Sequence, residues 1–169
     1  MPNNQRQLAT SAYDHENGLL DEVNLRILTE LLDSPRMPMA ELGRRIGMSA
    51  PAVTERVQRL ERAGVIIGYR LDVDPAAVGL PVTAFARIRP MPGSLPKIAE
   101  LAATLPEVTE CYRITGEDCF LIKLHVPAID QLEATLDRFL AYGNTTTSVV
   151  VSTPVSRRPP PLPRPLATS

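Results

Sequence analysis

The sequence predicts an α+β chain in two parts, a unit of three short helices followed by a unit ordered β-α-β-β-α-β. Three observations carry that prediction. Apolar residues recur at helical spacing three times before residue 64. From residue 82 onward, short β-branched or alternating stretches take turns with amphipathic ones. Between the two parts, Asp74-Pro75 and Gly79-Leu80-Pro81 break the chain, so residues 71–81 are expected to form a hinge, with one helical turn over residues 76–78.

Residues 1–18 are polar and patternless, and a disordered tail is expected there. Asp21 caps the first helix. Leu20 before the cap and Leu25 within the helix make a hydrophobic staple, and Ile27, Leu28 and Leu31 continue the buried face. Pro35 and Pro38 then break the chain. Leu42 and Ile46 lie four apart on one face of a second helix, which stops at Gly47, where the backbone needs left-handed dihedrals. Ser49 is a good N-cap, and Pro51 sits in the first turn, where its missing N–H costs nothing. A third helix is therefore expected over residues 50–63, ended by Gly64. An extended stretch over residues 65–73 follows, and a winged helix-turn-helix spans residues 19–70.

In the second part, VTAFARIR at residues 82–89 alternates as a strand does. Pro90-Met91-Pro92-Gly93 is a loop, and Ser94 is expected to cap a helix carrying Leu95, Ile98, Leu101 and Ala102 on one face. Strands are expected over residues 108–115 and 120–126, around the turn Gly116-Glu117-Asp118. Ile129, Leu132, Leu136, Phe139 and Leu140 mark another amphipathic helix, and residues 145–153 a last strand. This is the ferredoxin-like arrangement, an antiparallel sheet with both helices on one face, over residues 82–156. Val82, Ala84, Ala86 and Ile88, with Val149 and Val151, are expected to form an apolar open face that a second chain covers. Residues 157–169, RRPPPLPRPLATS, are expected to be an extended, mobile tail.

Charge points to the role of the first part. From residue 44 to residue 70 there are six arginines (Arg44, Arg45, Arg56, Arg59, Arg62, Arg70) against Glu55 and Glu61, a local net of +4. The stretch before it, residues 21–43, nets −3, and the whole chain −1. A basic island in a near-neutral chain suits a phosphate-facing surface, and arginine suits forked hydrogen bonds to phosphate and guanine. On the third helix Val53, Val57 and Leu60 form the core stripe, and Pro51, Thr54, Glu55, Gln58, Arg59 and Arg62 fall away from it. The helix is thus expected to enter the major groove of double-stranded DNA, with Arg44, Arg45 and Arg70 alongside and Ser49 serving as both cap and phosphate donor. Glu55 can accept from cytosine or neutralise Arg59. Arg56 lies nearer the apolar stripe, where an ion pair within the unit and a DNA contact are both open.

Other classes have little material. No apolar run reaches membrane-spanning length and no secretory signal opens the chain, so a cytoplasmic protein without membrane contact is expected. Cys111 and Cys119 make no disulfide framework, and reduced thiols are expected. With only His15 and His125, neither metal, cofactor nor catalytic site is expected.

The two parts together resemble the leucine-responsive/asparagine-regulator (Lrp/AsnC, feast–famine) transcription factors, over about residues 19–154. The matching pieces are Leu20-Asp21, Ile27-Leu28, Ser49, Arg56-Val57, Leu60-Glu61, Gly64-Val65-Ile66, Gly68-Tyr69, Thr115-Gly116 and the Thr/Ser-Val-Val strand. The resemblance implies a DNA-binding transcription regulator whose second half senses a small-molecule effector, an amino acid or related metabolite. It also implies assembly as a homodimer, with dimers joining into an octamer. Effector contacts fall on Gly116, Glu117, Asp118, Cys119, Thr147 and Ser148. Asn24 and Cys119 depart from the family pattern, each standing where an acid is usual. Two alternatives are a ligand-independent protein that wraps DNA architecturally and a tetrapyrrole decarboxylase of the same layout. The second would need basic residues and histidines in a half that carries net −2.

Overall fold

The computed structural model describes residues 19–163. The tail expected at residues 1–18 lies outside the described residues, as do residues 164–169. The chain divides into two compact units. Asp72–Ser156 forms one and, among the described residues, 19–71 joined by 157–163 form the other.

The first unit holds α1 (Glu22–Asp33), α2 (Met39–Ile46) and α3 (Ala50–Arg62). The Asp21 carboxylate accepts from the Asn24 backbone N–H at 2.7 Å and caps α1. Apolar side chains spaced three and four apart on all three helices, among them Ile27, Leu31, Leu42, Val53 and Leu60, meet in one core. Gly47 ends α2 with φ of +82°, and the N–H groups of Gly47 and Met48 both donate to the Gly43 carbonyl, at 2.9 and 2.8 Å. Gly43 packs so closely against the returning turn that a Cβ there would lie 2.7 Å from the Met48 carbonyl oxygen. After α3, Gly64 takes φ of +69°, and Val65 and Ile66 donate back to the Leu60 carbonyl. Residues 67–73 run on without a strand partner among the described residues, and Ile67, Leu71 and Val73 are exposed.

The second unit opens with a single 3-10 turn, Ala76–Val78, ended by Gly79 at φ of +84°. Then follow β1 (Val82–Pro90), α4 (Leu95–Thr104), β2 (Val108–Arg113), β3 (Phe120–Val126), α5 (Ile129–Leu140) and β4 (Gly143–Val149). The sheet order is β2-β3-β1-β4, antiparallel throughout, with Ala84 opposite both Leu124 and Val149. Ile98 and Ala102 of α4 and Leu132 and Phe139 of α5 share one core with the sheet, so both helices lie on the same face.

Three expectations need correction. Val82, Ala84, Ala86 and Ile88 do not supply an open apolar face. The last three are fully buried under the helices, where Ile98, Ala102, Leu132 and Phe139 pack on them. Of their expected companions, Val149 sits half-exposed at the β4 edge on the helix side, and Val151 lies beyond the sheet, almost fully exposed. The open face carries Thr83, Phe85, Arg87 and Arg89 instead. Ser94 begins α4 without a side-chain cap, since its backbone is already in the helical region (φ −91°, ψ −3°) and not in the extended conformation a capping residue takes. Finally, β4 runs from Gly143 to Val149, starting two residues and ending four residues earlier than its expected span of 145–153.

Candidate nucleic-acid interface and effector hairpin

The apolar stripe of α3 determines what the helix presents to solvent. With Val53, Val57 and Leu60 buried, Pro51, Glu55, Gln58, Arg59 and Arg62 are exposed along its outer side. Ser49 is exposed at its N-terminus, where its Oγ accepts from the Ala52 N–H at 3.4 Å. Arg59 and Arg62 occupy the last turn, where they also face the partial negative charge of the helix end. Thr54 is half-buried, and its hydroxyl donates to the Ala50 carbonyl at 2.7 Å. Arg70 is exposed in the stretch after the helix.

Three other arginines are tied into the unit. Arg56 Nη1 donates to Asp21 Oδ2 at 2.6 Å and to Asn24 Oδ1 at 3.0 Å. Asn24 is buried, and its Nδ2 donates to the Leu19 carbonyl at 2.8 Å. An acid at that position would lack the donor for Leu19, which gives a physical reason for asparagine in this chain. Burial pushes the Asp21 carboxyl up, but the Arg56 hydrogen bond, the Asn24 N–H and the nearby guanidinium charges outweigh it and hold the group below its ordinary value. Arg45 bridges helices, with Glu30 at 2.9 Å and Glu41 at 3.0 Å, while Arg44 shares Glu41. These two arginines hold Glu41 below its usual range. Tyr69 donates to Glu61 at 2.9 Å, and partial burial together with that carboxylate pushes its hydroxyl up to about 12.

At one end of the second unit's sheet, residues 114–119 close the β2–β3 hairpin, with Ile114 N–H donating to the Cys119 carbonyl. Gly116 takes φ of +111°, a conformation that other side chains rarely adopt. The Cys119 thiol turns into the hairpin and donates to the Gly116 carbonyl at 3.3 Å. Glu117 pairs with Arg89 at 2.6 Å, and Asp118 with Arg89 at 3.4 Å and Arg87 at 3.8 Å. The fold does not gather all six expected effector residues. Ser148 lies on the open face opposite Phe85, four positions along the strand from Arg89, or about 13 Å. Thr147 points to the opposite, helix-covered face. Sequence reasoning missed Arg87 and Arg89, which alternate onto the open face. Their spacing was readable, but the register that sets them beside the hairpin was not.

Among the described residues, no group of three His, Cys, Asp or Glu side chains is placed to hold a metal ion, and no helix is long and apolar enough to cross a membrane.

Comparison with known proteins matches residues 20–67 to a winged helix-turn-helix DNA-binding model and residues 83–160 to the Lrp/AsnC ligand binding domain. The chain is 36% identical over 133 residues to the HTH-type transcriptional regulator LrpC of Bacillus subtilis, covering 79% of this chain and 92% of that protein. It is 32% identical over 151 residues to the regulatory protein AsnC of Escherichia coli, covering 84% and 97%. The solved structure of B. subtilis LrpC superposes with a TM-score of 0.77 at 35% identity, over 82% of this chain and 99% of that one. These relatives are transcriptional regulators, not enzymes. With an exposed basic helix in a helix-turn-helix unit and a ferredoxin-like unit following it in sequence, the chain belongs to the Lrp/AsnC family of DNA-binding transcription regulators.

Proposed function

We propose that α3 lies in the major groove and reads its operator with Gln58, Arg59 and Arg62, assisted by Thr54 and Glu55. Pro51 and Ser49 approach the backbone at the helix N-terminus, and Arg44, Arg45 and Arg70 flank it. The observation that carries this reading is the outer side of α3, where two exposed arginines and a glutamine stand opposite a fully buried stripe. Guanidinium forks there suit guanine edges and phosphates alike. Because Arg45 holds two carboxylates and Arg44 shares one, their share in DNA binding is smaller than that of Arg59 and Arg62. Arg59→Ala and Arg62→Ala are each expected to weaken operator binding and to flatten its dependence on salt by about one unit of log-log slope. An unchanged low-salt isotherm in the double variant overturns the reading.

The ligand is an amino acid or a close relative, held near residues 116–119, with Thr147 and Ser148 too far along or across the sheet to share it. Support comes from both signs of charge at one hairpin, where Glu117 and Asp118 can meet an ammonium and Arg87 and Arg89 a carboxylate. Calorimetry of the intact protein against the common amino acids tests this, and Asp118→Ala should abolish the heat of any that binds. The working unit is a homodimer, with dimers joining into an octamer. The open sheet face is its contact surface, where Phe85 and Tyr112 are exposed. Sedimentation showing a monomer at micromolar concentration would refute the assembly.

A further inference from the structure

The chain does not end on the sheet. From Arg157 it groups with the helical unit, so both ends of Asp72–Ser156 lead into the DNA-binding unit. Residues 157–161 are exposed, and burial begins at Leu162 and Pro163. Leu162 packs on the core cluster that contains Ile27, Leu31 and Leu42.

We propose that residues 157–163 are a built-in strap of the DNA-binding unit, whose three-helix core offers an apolar docking site for a proline-flanked leucine. The occupant is this chain's own C-terminal segment. Leu162 is the one apolar anchor other than proline in residues 157–163, and prolines stand at positions 159, 160, 161 and 163. They hold the segment extended in advance, so little freedom remains to be lost on docking. Proline also lacks an N–H, so the segment lies on an apolar surface with few donors to satisfy. Arg157 and Arg158 are thereby kept on the unit that carries the basic helix, where two added cations favour a polyanion. The model of the ligand-binding domain stops at residue 160, and the relatives are covered almost end to end by about four-fifths of this chain. Leu162 therefore lies past the residues matched by the model of the ligand-binding domain.

The test is site-specific photo-cross-linking of the full-length protein, with p-benzoylphenylalanine replacing Leu162. Equal amounts of isotopically light and heavy chains are mixed before irradiation. The strap predicts links to peptides of α1, α2 or α3, light to light and heavy to heavy. Links into residues 82–149, or none at all, overturn it. Light-to-heavy links would also overturn it, because the occupant would then come from a second copy. Hydrogen exchange is the second readout. Leu162→Asp should speed exchange of α1 and α2 amides by about three- to tenfold, while Leu162→Met leaves it near the parent. Unchanged exchange in Leu162→Asp refutes the strap.

Discussion

Replacing Gly43 with alanine sets two physical effects against each other, and the geometry decides the sign. In an exposed helix interior, alanine is favoured over glycine by about 0.5–1 kcal/mol, because glycine loses more backbone freedom on folding. In this unit Gly43 is buried, and a Cβ would sit 2.7 Å from the Met48 carbonyl oxygen, where ordinary contact begins near 3.4 Å. The turn would have to retreat by roughly 0.7 Å, and it is not free to do so. Gly47 and Met48 both bond to the Gly43 carbonyl, Met48 packs on the core, and Ser49 starts α3 one residue later. Overpacking of this kind costs about 1–3 kcal/mol, so after the helix gain Gly43→Ala should destabilise the unit by about 1–2 kcal/mol. Its melting temperature should fall by about 4–8 °C per kcal/mol. Scanning calorimetry of the intact protein measures this, with the operator isotherm recorded alongside, because the same retreat moves the start of α3. A Gly43→Ala protein that melts at or above the parent temperature would refute the close-packing argument.

Arg56→Ala removes hydrogen bonds to Asp21 and to buried Asn24. With about a third of each ion-pair side chain exposed, solvent screening limits the loss to about 1–2 kcal/mol, read by denaturant unfolding. Asp21 titrates below its ordinary 3.8 in the folded chain, so its contribution is present above that pH and is lost as pH falls through the folded value. Acid unfolding of the Asp21→Asn variant should lack that component. His125 is buried against Thr83 Oγ1 at 2.9 Å, and burial, then Lys123, lowers its pKa against the opposing pull of Glu110. The unfolded chain therefore takes up the proton first, and the second unit should lose stability as pH drops below about 6.5. Identical pH profiles of melting for parent and His125→Gln would contradict this. Gly143→Ala puts a Cβ 2.4 Å from the Arg89 carbonyl, so the start of the β1–β4 ladder must open, at a cost of about 1–3 kcal/mol in thermal melts.

The helices were legible because their signals are local. Asp21 and Ser49 cap, Gly47 and Gly64 stop, and the apolar spacing names each buried face before any partner is known. The strand order followed from element order, and fold and function were both readable from the combination. What escaped depends on partners distant in sequence. Alternation along β1 shows that Ala84, Ala86 and Ile88 share a face, but not which face the helices cover. Gly43 looks like a weak helix residue until the turn folds back on it. Arg56 left two readings open because its acceptors lie 35 and 32 residues upstream. The pairing of Arg87 and Arg89 with the hairpin likewise depends on sheet register.

The link from Arg56 to Asp21 and Asn24 bears on attempts to redirect this regulator to another operator. Grafting residues 50–62 alone onto a relative would import a guanidinium whose partners stayed behind, and would leave the recipient's own partners vacant. The transferable module is discontinuous: α3 together with residues 19–24, because the Leu19 carbonyl, the Asp21 carboxylate and the Asn24 amide set the angle at which α3 is carried. Chimeras that move both pieces should retain stability and take the donor's operator preference, whereas chimeras that move only the helix should bind both operators weakly.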